Sequence, residues 1–276
     1  MSYLFLMEQP GKSSDRFGAN SDGYARFRPA YPGDMVRRLA GQIVSVPAPP
    51  GLPVVDVGCG TGIFTRQLAA ALPVGFGVLG VEPSERMRAA ALGQSEGLPV
   101  RYAAGTAEAL PVAAAGARAV TAATAAHWFD RPRFYAEAAR VLVPGGVLGI
   151  VEYIRDAEHS PAAAAVEDFL RREGGPQVYR RPDYADELGA LAPFELADVL
   201  TQTVVLDLDP DGFAGLALSS SHARAIAERR GEAAIRTELA RIGAGLAGPG
   251  GRIAYGYRFQ SFVARRRPAP GAPSAG

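Results

Sequence analysis

The chain has 276 residues, 48% of them hydrophobic, and a formal net charge of +1, which favours one large domain, or one domain with a cap, around a buried core. The arginines are spread along the chain without forming a basic run, so we expect no nucleic-acid partner. A single cysteine excludes an intrachain disulfide, and no apolar run approaches the roughly 20 residues that a membrane helix needs, so we expect a soluble cytoplasmic protein without a membrane partner.

Residues 1–33 are interpreted as an N-terminal arm followed by a lid. The apolar patch at residues 3–7 belongs either to a disordered terminus or to an arm that packs on another subunit of a homo-oligomer. Residues 24–32 interleave aromatic, arginine and proline side chains directly before a predicted helix over Gly33–Val46. Such a segment can cover a pocket as a lid.

Residues 53–62 read Pro-Val-Val-Asp-Val-Gly-Cys-Gly-Thr-Gly and predict a strand, a tight turn and the start of a helix. Phe64, Leu68 and Leu72 then recur at helical spacing. Glycine allows a sharp turn and lets a ligand lie against bare backbone, and the start of a helix offers free N–H groups. The stretch therefore predicts the ligand site of a nucleotide-binding βα unit.

Two kinds of ligand fit this turn. A dinucleotide fingerprint, G-x-G-x-x-G, would place its third glycine at position 63, where the chain has Ile63. A nicotinamide-dependent oxidoreductase with a variant glycine loop is therefore the alternative interpretation. Asp56 lies two residues before Gly58 and can accept hydrogen bonds from an amino group, so a cationic amino-acid ligand suits the turn better than a phosphate.

The stretch Asp56-Val57-Gly58-Cys59-Gly60-Thr61-Gly62 resembles, almost letter for letter, the S-adenosylmethionine (SAM) motif of class I methyltransferases. The resemblance implies an α/β, Rossmann-like fold with a seven-stranded, mostly parallel sheet, helices on both faces, an N-terminal lid and helical cap insertions. It also implies SAM as the cofactor, with the glycine turn lying against its methionine part. The cofactor-binding residues implied in this turn are Asp56, Gly58, Cys59, Gly60 and Gly62.

A second strand is predicted over Gly77–Val81 and ends at Glu82, about 20 residues beyond the turn. In the family, the acidic residue at this position holds both ribose hydroxyls. Pro83 then opens the next helix, where its missing N–H costs little, and Met87 on that helix is predicted to lie near the adenine or in the core. The carboxylate and the glycine turn are two separate sequence features, and both indicate SAM as the cofactor.

A third strand is predicted near Val100, and the loop after it supplies further candidates for contact with the cofactor. Family members often have an aspartate, bonded to the adenine amino group, where this chain has Thr106. The contact is therefore predicted to involve Thr106, Ala107 or Glu108.

The segment over residues 24–32 resembles the stretch that covers the methionine end of SAM in many small-molecule methyltransferases. Tyr24 and Arg28 are the candidates for contact with the cofactor or the acceptor, because a guanidinium can donate a forked pair of hydrogen bonds to a carboxylate. Phe27 and Tyr31 are predicted to pack the lid helix.

The end of the predicted fourth strand, residues 119–124, carries the candidate catalytic residue. Ligands of open α/β sheets collect at the carboxyl ends of the strands, which makes Thr124 a candidate contact of the cofactor and places His127 just beyond it. His127 can take a proton from an acceptor, because the unperturbed pKa of histidine lies close to neutrality. The alternative is a packed histidine beside Trp128.

A helix is predicted over Asp130–Val143, with a stop at residues 144–146 (Pro-Gly-Gly) and a fifth strand after it, which again resembles the family pattern. Two helical segments, a strand over 199–208, a helix over 211–247 and a last strand over 252–263 follow. The predicted divisions are 1–33 (arm and lid), 34–153 (SAM-binding core), 154–192 (helical cap), 193–265 (remainder of the core with a helical insertion) and 266–276 (disordered tail).

Methyl transfer from a sulfonium is an in-line displacement, for which a protein mainly aligns the reactants and excludes water. The sequence shows no cluster of His, Asp and Glu at ligand spacing, so no metal is predicted. The SAM-like turn, the aromatic lid and the absence of a basic patch favour methyl transfer to a small, largely apolar acceptor of natural-product (secondary) metabolism. A non-catalytic SAM-binding protein is a further alternative.

Overall fold

The computed structural model describes residues 29–174 and 182–268. Strands and helices alternate as far as the fifth strand, except that no helix separates the third strand from the fourth, and helices and two long strands follow. The strands are β1 (Val54–Val57), β2 (Val78–Val81), β3 (Val100–Ala103), β4 (Ala117–Ala123), β5 (Leu142–Arg155), β6 (Phe194–Leu208) and β7 (Ile253–Arg266). The α-helices are α1 (Gly33–Val44), α2 (Ile63–Ala71), α3 (Glu85–Gly93), α4 (Arg131–Val141), α5 (Pro161–Gly174), α6 (Tyr184–Ala190), α7 (Pro210–Leu218), α8 (Ser221–Arg230) and α9 (Glu232–Leu246). Short 3₁₀ turns cover Ala126–Trp128 and Pro249–Gly251.

The seven strands form one sheet of order β3-β2-β1-β4-β5-β7-β6. Strands β1 to β5 are parallel, and β7 runs antiparallel to both β5 and β6. This arrangement confirms the predicted Rossmann-like, mostly parallel sheet. The strand order reverses between β1 and β4, and ligands of such sheets bind in the crevice outside the carboxyl ends at that point.

Helices cover both faces of the sheet, and β1 shows how the sequence achieves this. Val54 belongs to a buried apolar cluster with α1, α2, α5, α7, α8 and α9. Val55 and Val57 belong to a second cluster, with α4 and α6. Successive side chains of a strand point to opposite faces, so the valines of β1 supply apolar surface to both sides of the sheet, as a central parallel strand requires.

Arg118, a buried residue of β4, anchors the proline-rich connector between α1 and β1. Its guanidinium donates hydrogen bonds to the carbonyl oxygens of Val46, Ala48 and Pro49, the Ala48 bond being 2.9 Å long. The same group lies 5.0 Å from the centre of the Phe76 ring. A single cation thus satisfies three carbonyl groups of a segment whose prolines lack N–H donors of their own.

The predicted helix stop at residues 144–146 is wrong. Helix α4 ends at Val141, and β5 begins at Leu142, so the Pro-Gly-Gly sequence lies within the strand segment. Ala117 of β4 pairs with Leu142, whereas Ala119 pairs with Val147. The extra residues of β5 form an irregularity in the ladder, which accommodates the turn-forming residues without ending the strand.

The helix predicted over residues 211–247 is divided into α7, α8 and α9. Ser220 caps α8 by accepting a hydrogen bond of 3.2 Å from the Ala223 N–H, as expected of a serine run that opens a helix. Gly231, with φ of 90°, separates α8 from α9. Its backbone conformation is outside the helical region and ends the helix.

The predicted start of the C-terminal tail is also wrong, because Arg266 is the last residue of β7. The next residue, Arg267, donates its backbone N–H to the carbonyl oxygen of Pro193 at 2.8 Å, immediately before β6. Pairing with β6 therefore keeps Arg266 in the sheet and Arg267 beside it, although composition alone predicts a disordered tail from residue 266. The rest of the predicted tail, residues 269–276, lies outside the described residues.

Candidate functional site

Three glycines of the turn after β1 have left-handed backbone conformations, with φ of 66° at Gly58, 56° at Gly60 and 75° at Gly62. A Cβ atom at Gly58 would lie 2.8 Å from the Ala125 Cβ, and one at Gly62 would collide with the hydroxyl of Tyr102. A Cβ atom at Gly60 would meet nothing closer than the Met87 sulfur at 3.9 Å. Two glycines are therefore needed for packing, and Gly60 is the one whose backbone faces open space.

The turn forms one wall of a solvent-connected cleft. Its other walls are the segment before α1, the start of α2, and the carboxyl ends of β4 and β5. The lining residues are Pro29, Tyr31, Asp56, Gly58, Cys59, Gly60, Thr61, Ile63, Phe64, Ala123, Thr124 and Tyr153. The fold thus brings five of the predicted contacts of the cofactor, namely Asp56, Gly58, Cys59, Gly60 and Thr124, to one cleft at the strand-order reversal.

Asp56 lies within β1, and its side chain has no exposed surface. One carboxylate oxygen accepts a hydrogen bond of 2.6 Å from the Thr65 hydroxyl, and the other accepts one of 3.1 Å from the Thr121 hydroxyl. Burial raises the pKa of Asp56 to about 7, against the opposing effect of the two hydroxyls, and the nearby Glu82 charge raises it further. Asp56 thus joins β1 to α2 and β4, and its predicted contact with a ligand amino group stays a prediction.

Glu82, at the end of β2, is bound to the backbone on both carboxylate oxygens. Oε2 accepts a hydrogen bond from the Gly60 N–H at 3.1 Å, and Oε1 accepts one from the Ser84 N–H at 3.0 Å. Burial raises the pKa of Glu82, whereas the two N–H groups and the charge of Arg88 lower it. Each carboxylate oxygen has two acceptor positions, so each can still accept one hydroxyl donor, as the predicted ribose contact requires.

Cys59 packs tightly against β2, since a Cβ atom at Gly80 would lie 2.9 Å from the Cys59 sulfur. Burial raises the pKa of the thiol, and the charges of Asp56 and Glu82 raise it further. The thiolate is the reactive form of cysteine, and these surroundings suppress it. The geometry favours Cys59 as a packed residue of the turn over a nucleophile.

The predicted residues on the adenine side occupy the β2 and β3 edge and do not line the cleft. Met87 is buried on α3, with its sulfur beside Gly60, whereas Pro83 is exposed. Ala107 is buried and Thr106 is exposed in the loop after β3.

Glu108, in the same loop, accepts a hydrogen bond of 3.0 Å from the Asp130 N–H and so ties this loop to the start of α4. The cofactor contacts of Pro83, Met87, Thr106, Ala107 and Glu108 stay predictions.

His127 lies on the 3₁₀ turn that follows β4 and is half-buried. Its ring centre is 5.0 Å from that of Trp128, with the planes tilted by 45°. The residues that line the cleft do not include His127, and its role as a base stays a prediction. Tyr24 and Arg28 lie outside the described residues, together with the predicted arm and most of the predicted lid.

Tyr31 contributes more than the packing that the sequence predicts. Its ring packs edge-on against Phe64 with centres 4.9 Å apart, yet its hydroxyl is hydrogen-bonded to the Thr124 hydroxyl at 2.8 Å on the cleft wall. Tyr153, which also lines the cleft, was not among the predicted cofactor contacts. Its position at the carboxyl end of β5 is the feature that could have predicted this, since ligands collect at that edge of the sheet.

Two further observations apply to residues 29–174 and 182–268. No group of three or more His, Cys, Asp or Glu side chains in these ranges could hold a metal ion. None of the helices described there is long and apolar enough to cross a membrane.

Comparison with known proteins shows that parts of the chain are similar to methyltransferases. Residues 55–150 match the family model described as a methyltransferase domain. An uncharacterized methyltransferase of Mycobacterium tuberculosis is 36% identical over 163 residues, which cover 58% of this chain and 60% of the relative, so the match spans less than two thirds of the relative's length. A solved structure from Anaeromyxobacter dehalogenans, provisionally assigned to the type II methyltransferases, is 27% identical with a TM-score of 0.63, over 87% of this chain and 98% of the other.

Proposed function

We propose that the protein is a class I methyltransferase that uses SAM as its cofactor and transfers the SAM methyl group to a small, largely apolar acceptor of natural-product (secondary) metabolism. The observation that carries this proposal is the cleft at Gly60. There, a backbone without a side chain faces a wall formed by Tyr31, Phe64 and Tyr153. Such a cleft combines a polar, close-fitting surface for a cofactor with an apolar surface for an acceptor.

The residues present fit SAM. A Cβ atom at Gly60 would enter the cleft, so this position provides room for a ligand against the main chain. Glu82 is the residue proposed to accept hydrogen bonds from the ribose hydroxyls, and its bond to the Gly60 N–H fixes it relative to the turn. Asp56, which also lines the cleft, is proposed to face the amino group of the methionine part.

When bound, SAM supplies an electrophilic methyl group on a sulfonium, which an acceptor takes in one displacement. The chain's own contribution is then to hold both reactants in line and to keep water away from them. The rings of Tyr31, Phe64 and Tyr153 supply apolar surface beside the turn, and the backbone of Tyr31 is fixed to the Gln67 amide by two hydrogen bonds. The proposal requires no metal ion.

An apolar acceptor is supported by the aromatic side chains that continue from the cleft onto β7. The ring of Tyr153 lies 5.1 Å from that of Tyr257 and 5.3 Å from that of Phe259, measured between centres. The formal net charge of +1 provides no excess of positive charge that would favour a nucleic acid over a small molecule. These features support a small, apolar acceptor.

Binding of SAM is the first test of the proposal. Isothermal titration should show 1:1 binding of SAM to the wild-type protein and no binding of NADH. Gly60→Arg should abolish SAM binding, because its side chain would occupy the cleft. Tight binding of NADH in place of SAM, or unchanged SAM binding by folded Gly60→Arg, would contradict the proposed site.

Turnover is the second test. The protein is incubated with [methyl-¹⁴C]SAM and a cell extract separated into small-molecule and macromolecular fractions. We expect label in a small organic-soluble product, which mass spectrometry identifies by the added methyl group. Label confined to the macromolecular fraction would overturn the class of acceptor, and SAM binding without any labelled product would favour a non-catalytic SAM-binding protein.

A further inference from the structure

Thr124 has an unusual backbone conformation at the wall of the cleft. Its φ is 49°, and among the described residues only Ala115 is another non-glycine residue with positive φ. A left-handed conformation is strained for a β-branched side chain, which crowds the adjacent carbonyl groups. Such strain persists only where the surrounding structure imposes it, and it is concentrated at functional sites.

Two hydrogen bonds hold Thr124 in this conformation. Its backbone N–H donates to the carbonyl oxygen of Val151 at 2.7 Å, which fixes it beside β5. Its hydroxyl is bonded to the hydroxyl of Tyr31 at 2.8 Å, and both residues line the cleft. The second bond spans 93 positions in the sequence and connects the end of β4 to the segment before α1.

Tyr31 is itself fixed from another side of the cleft. Its N–H donates to the Gln67 side-chain oxygen at 3.0 Å, and the Gln67 amide donates back to the Tyr31 carbonyl at 2.8 Å. Gln67 belongs to α2, the helix that follows the glycine turn. The Tyr31 hydroxyl is therefore held in one place by α2, by the ring of Phe64 and by Thr124.

We propose that Tyr31 and Thr124 are positioning residues for the methyl donor, and that their bonded hydroxyls form a latch that holds the segment before α1 over the cleft opposite the glycine turn. This inference rests on the proposed function above. With the latch closed, the donor is confined between Gly60 and Tyr31, so the bond mainly slows the donor's dissociation. The strained backbone conformation of Thr124 lowers the stability of the folded protein, and this loss accompanies the latch.

Substitutions that remove the hydroxyl but keep the shape of the side chain test the latch. Thr124→Val keeps the β-branched shape and lacks the hydroxyl, and Tyr31→Phe keeps the ring. Each should raise the dissociation constant of SAM by roughly 5- to 10-fold in titration calorimetry, the effect of one lost hydrogen bond. Thr124→Ser retains the hydroxyl and should bind SAM within about 2-fold of the wild type, a rescue that loss of packing alone would not give.

The double variant and the kinetics distinguish a shared bond from two separate contacts. Tyr31→Phe combined with Thr124→Val should bind SAM no more weakly than the weaker single variant, because both substitutions remove the same bond. Fluorescence of Trp128, the only tryptophan of the chain, offers a stopped-flow signal four residues beyond Thr124. The dissociation rate should rise in both single variants, and the association rate should stay within about 2-fold.

Ala115 provides a matched control for the strain, since it has the same φ of 49° but lies before the amino end of β4, away from the cleft. Ala115→Gly should raise the Tm and leave SAM affinity unchanged. Thr124→Gly should have a higher Tm than Thr124→Ala, since glycine relieves the strain, yet both should bind SAM weakly.

If the wild type binds SAM and Thr124→Val and Tyr31→Phe bind it equally well, the latch is overturned. Fully additive losses, or a Thr124→Ser variant as weak as Thr124→Val, overturn it too. If the wild type itself fails to bind SAM, the proposed function fails, so the two failures are distinguishable.

Discussion

The carboxylate of Glu82 accepts a hydrogen bond of 3.1 Å from the backbone N–H of Gly60, so the end of β2 is tied directly to the glycine turn. The other Glu82 oxygen accepts the Ser84 N–H at 3.0 Å, at the start of α3. The proposed contacts for the ribose and for the methionine part of SAM are therefore parts of one connected structure. A change at Glu82 should affect both the turn and the cofactor.

Glu82→Gln should weaken SAM binding by about 10-fold or more and lower the Tm, because the amide NH₂ would face one of two N–H donors. Titration calorimetry and thermal unfolding measure the two effects. Glu85→Gln, an exposed change three residues away, is the control and should alter neither. Equal behaviour of the two variants would contradict the role of Glu82.

Gly60→Ala and Gly62→Ala should fail in different ways. Both introduce a side chain at positive φ, but the Gly62 Cβ would collide with Tyr102, whereas the Gly60 Cβ would enter the cleft. Gly62→Ala should therefore cause the larger fall in Tm, and Gly60→Ala the larger loss of SAM affinity relative to its fall in Tm. The reverse order would place the open cleft elsewhere on the turn.

Asp56 should make stability decrease as pH rises. Its pKa is raised to about 7, mainly by burial, so the folded protein holds this proton more tightly than the unfolded chain does. The resulting stabilisation is fully present below the unfolded pKa, about 3.9, and is lost as pH rises to about 7. Asp56→Asn cannot ionise, so the free energy of unfolding of the wild type relative to Asp56→Asn should fall between about pH 4 and pH 7.

Urea denaturation of both proteins at several pH values, without SAM, measures this difference. The subtraction removes the contributions of other carboxyl groups, including Glu137 and Asp198, whose pKa values are lowered by Arg140 and Arg38 and which act in the opposite direction. If the difference in free energy of unfolding stays constant or rises with pH, burial does not raise the pKa of Asp56.

Arg118→Met should lower the free energy of unfolding by about 2 to 4 kcal/mol, because three carbonyl groups of the connector lose a charged donor. SAM affinity of the folded variant should be within about 2-fold of the wild type, since Arg118 does not line the cleft. Arg101→Met, on the exposed side of β3, is the matched control and should cost less than about 0.5 kcal/mol. Loss of SAM binding without loss of stability would contradict a purely structural role.

The sequence by itself determined the elements whose signals are local. The glycines at 58, 60 and 62 follow a β-branched strand and precede a helix, and Glu82 follows the next strand, so the sequence predicted correctly that both lie at the carboxyl edge of the sheet. These features depend on residues that are close together in the chain. Backbone sterics and the periodicity of strands and helices act between residues that are close together in the sequence, so a local pattern can predict them.

The tertiary structure alone decided which distant residues meet. Whether residues 144–146 end a helix or lie within β5 depends on pairing with β4, and the Pro-Gly-Gly pattern is compatible with either. The contact between Tyr31 and Thr124 likewise arises because α2, β4 and β5 hold the two residues side by side. An aromatic residue near a proline predicts packing, but the position of its hydroxyl is set by the arrangement of the whole sheet, to which no local pattern is sensitive.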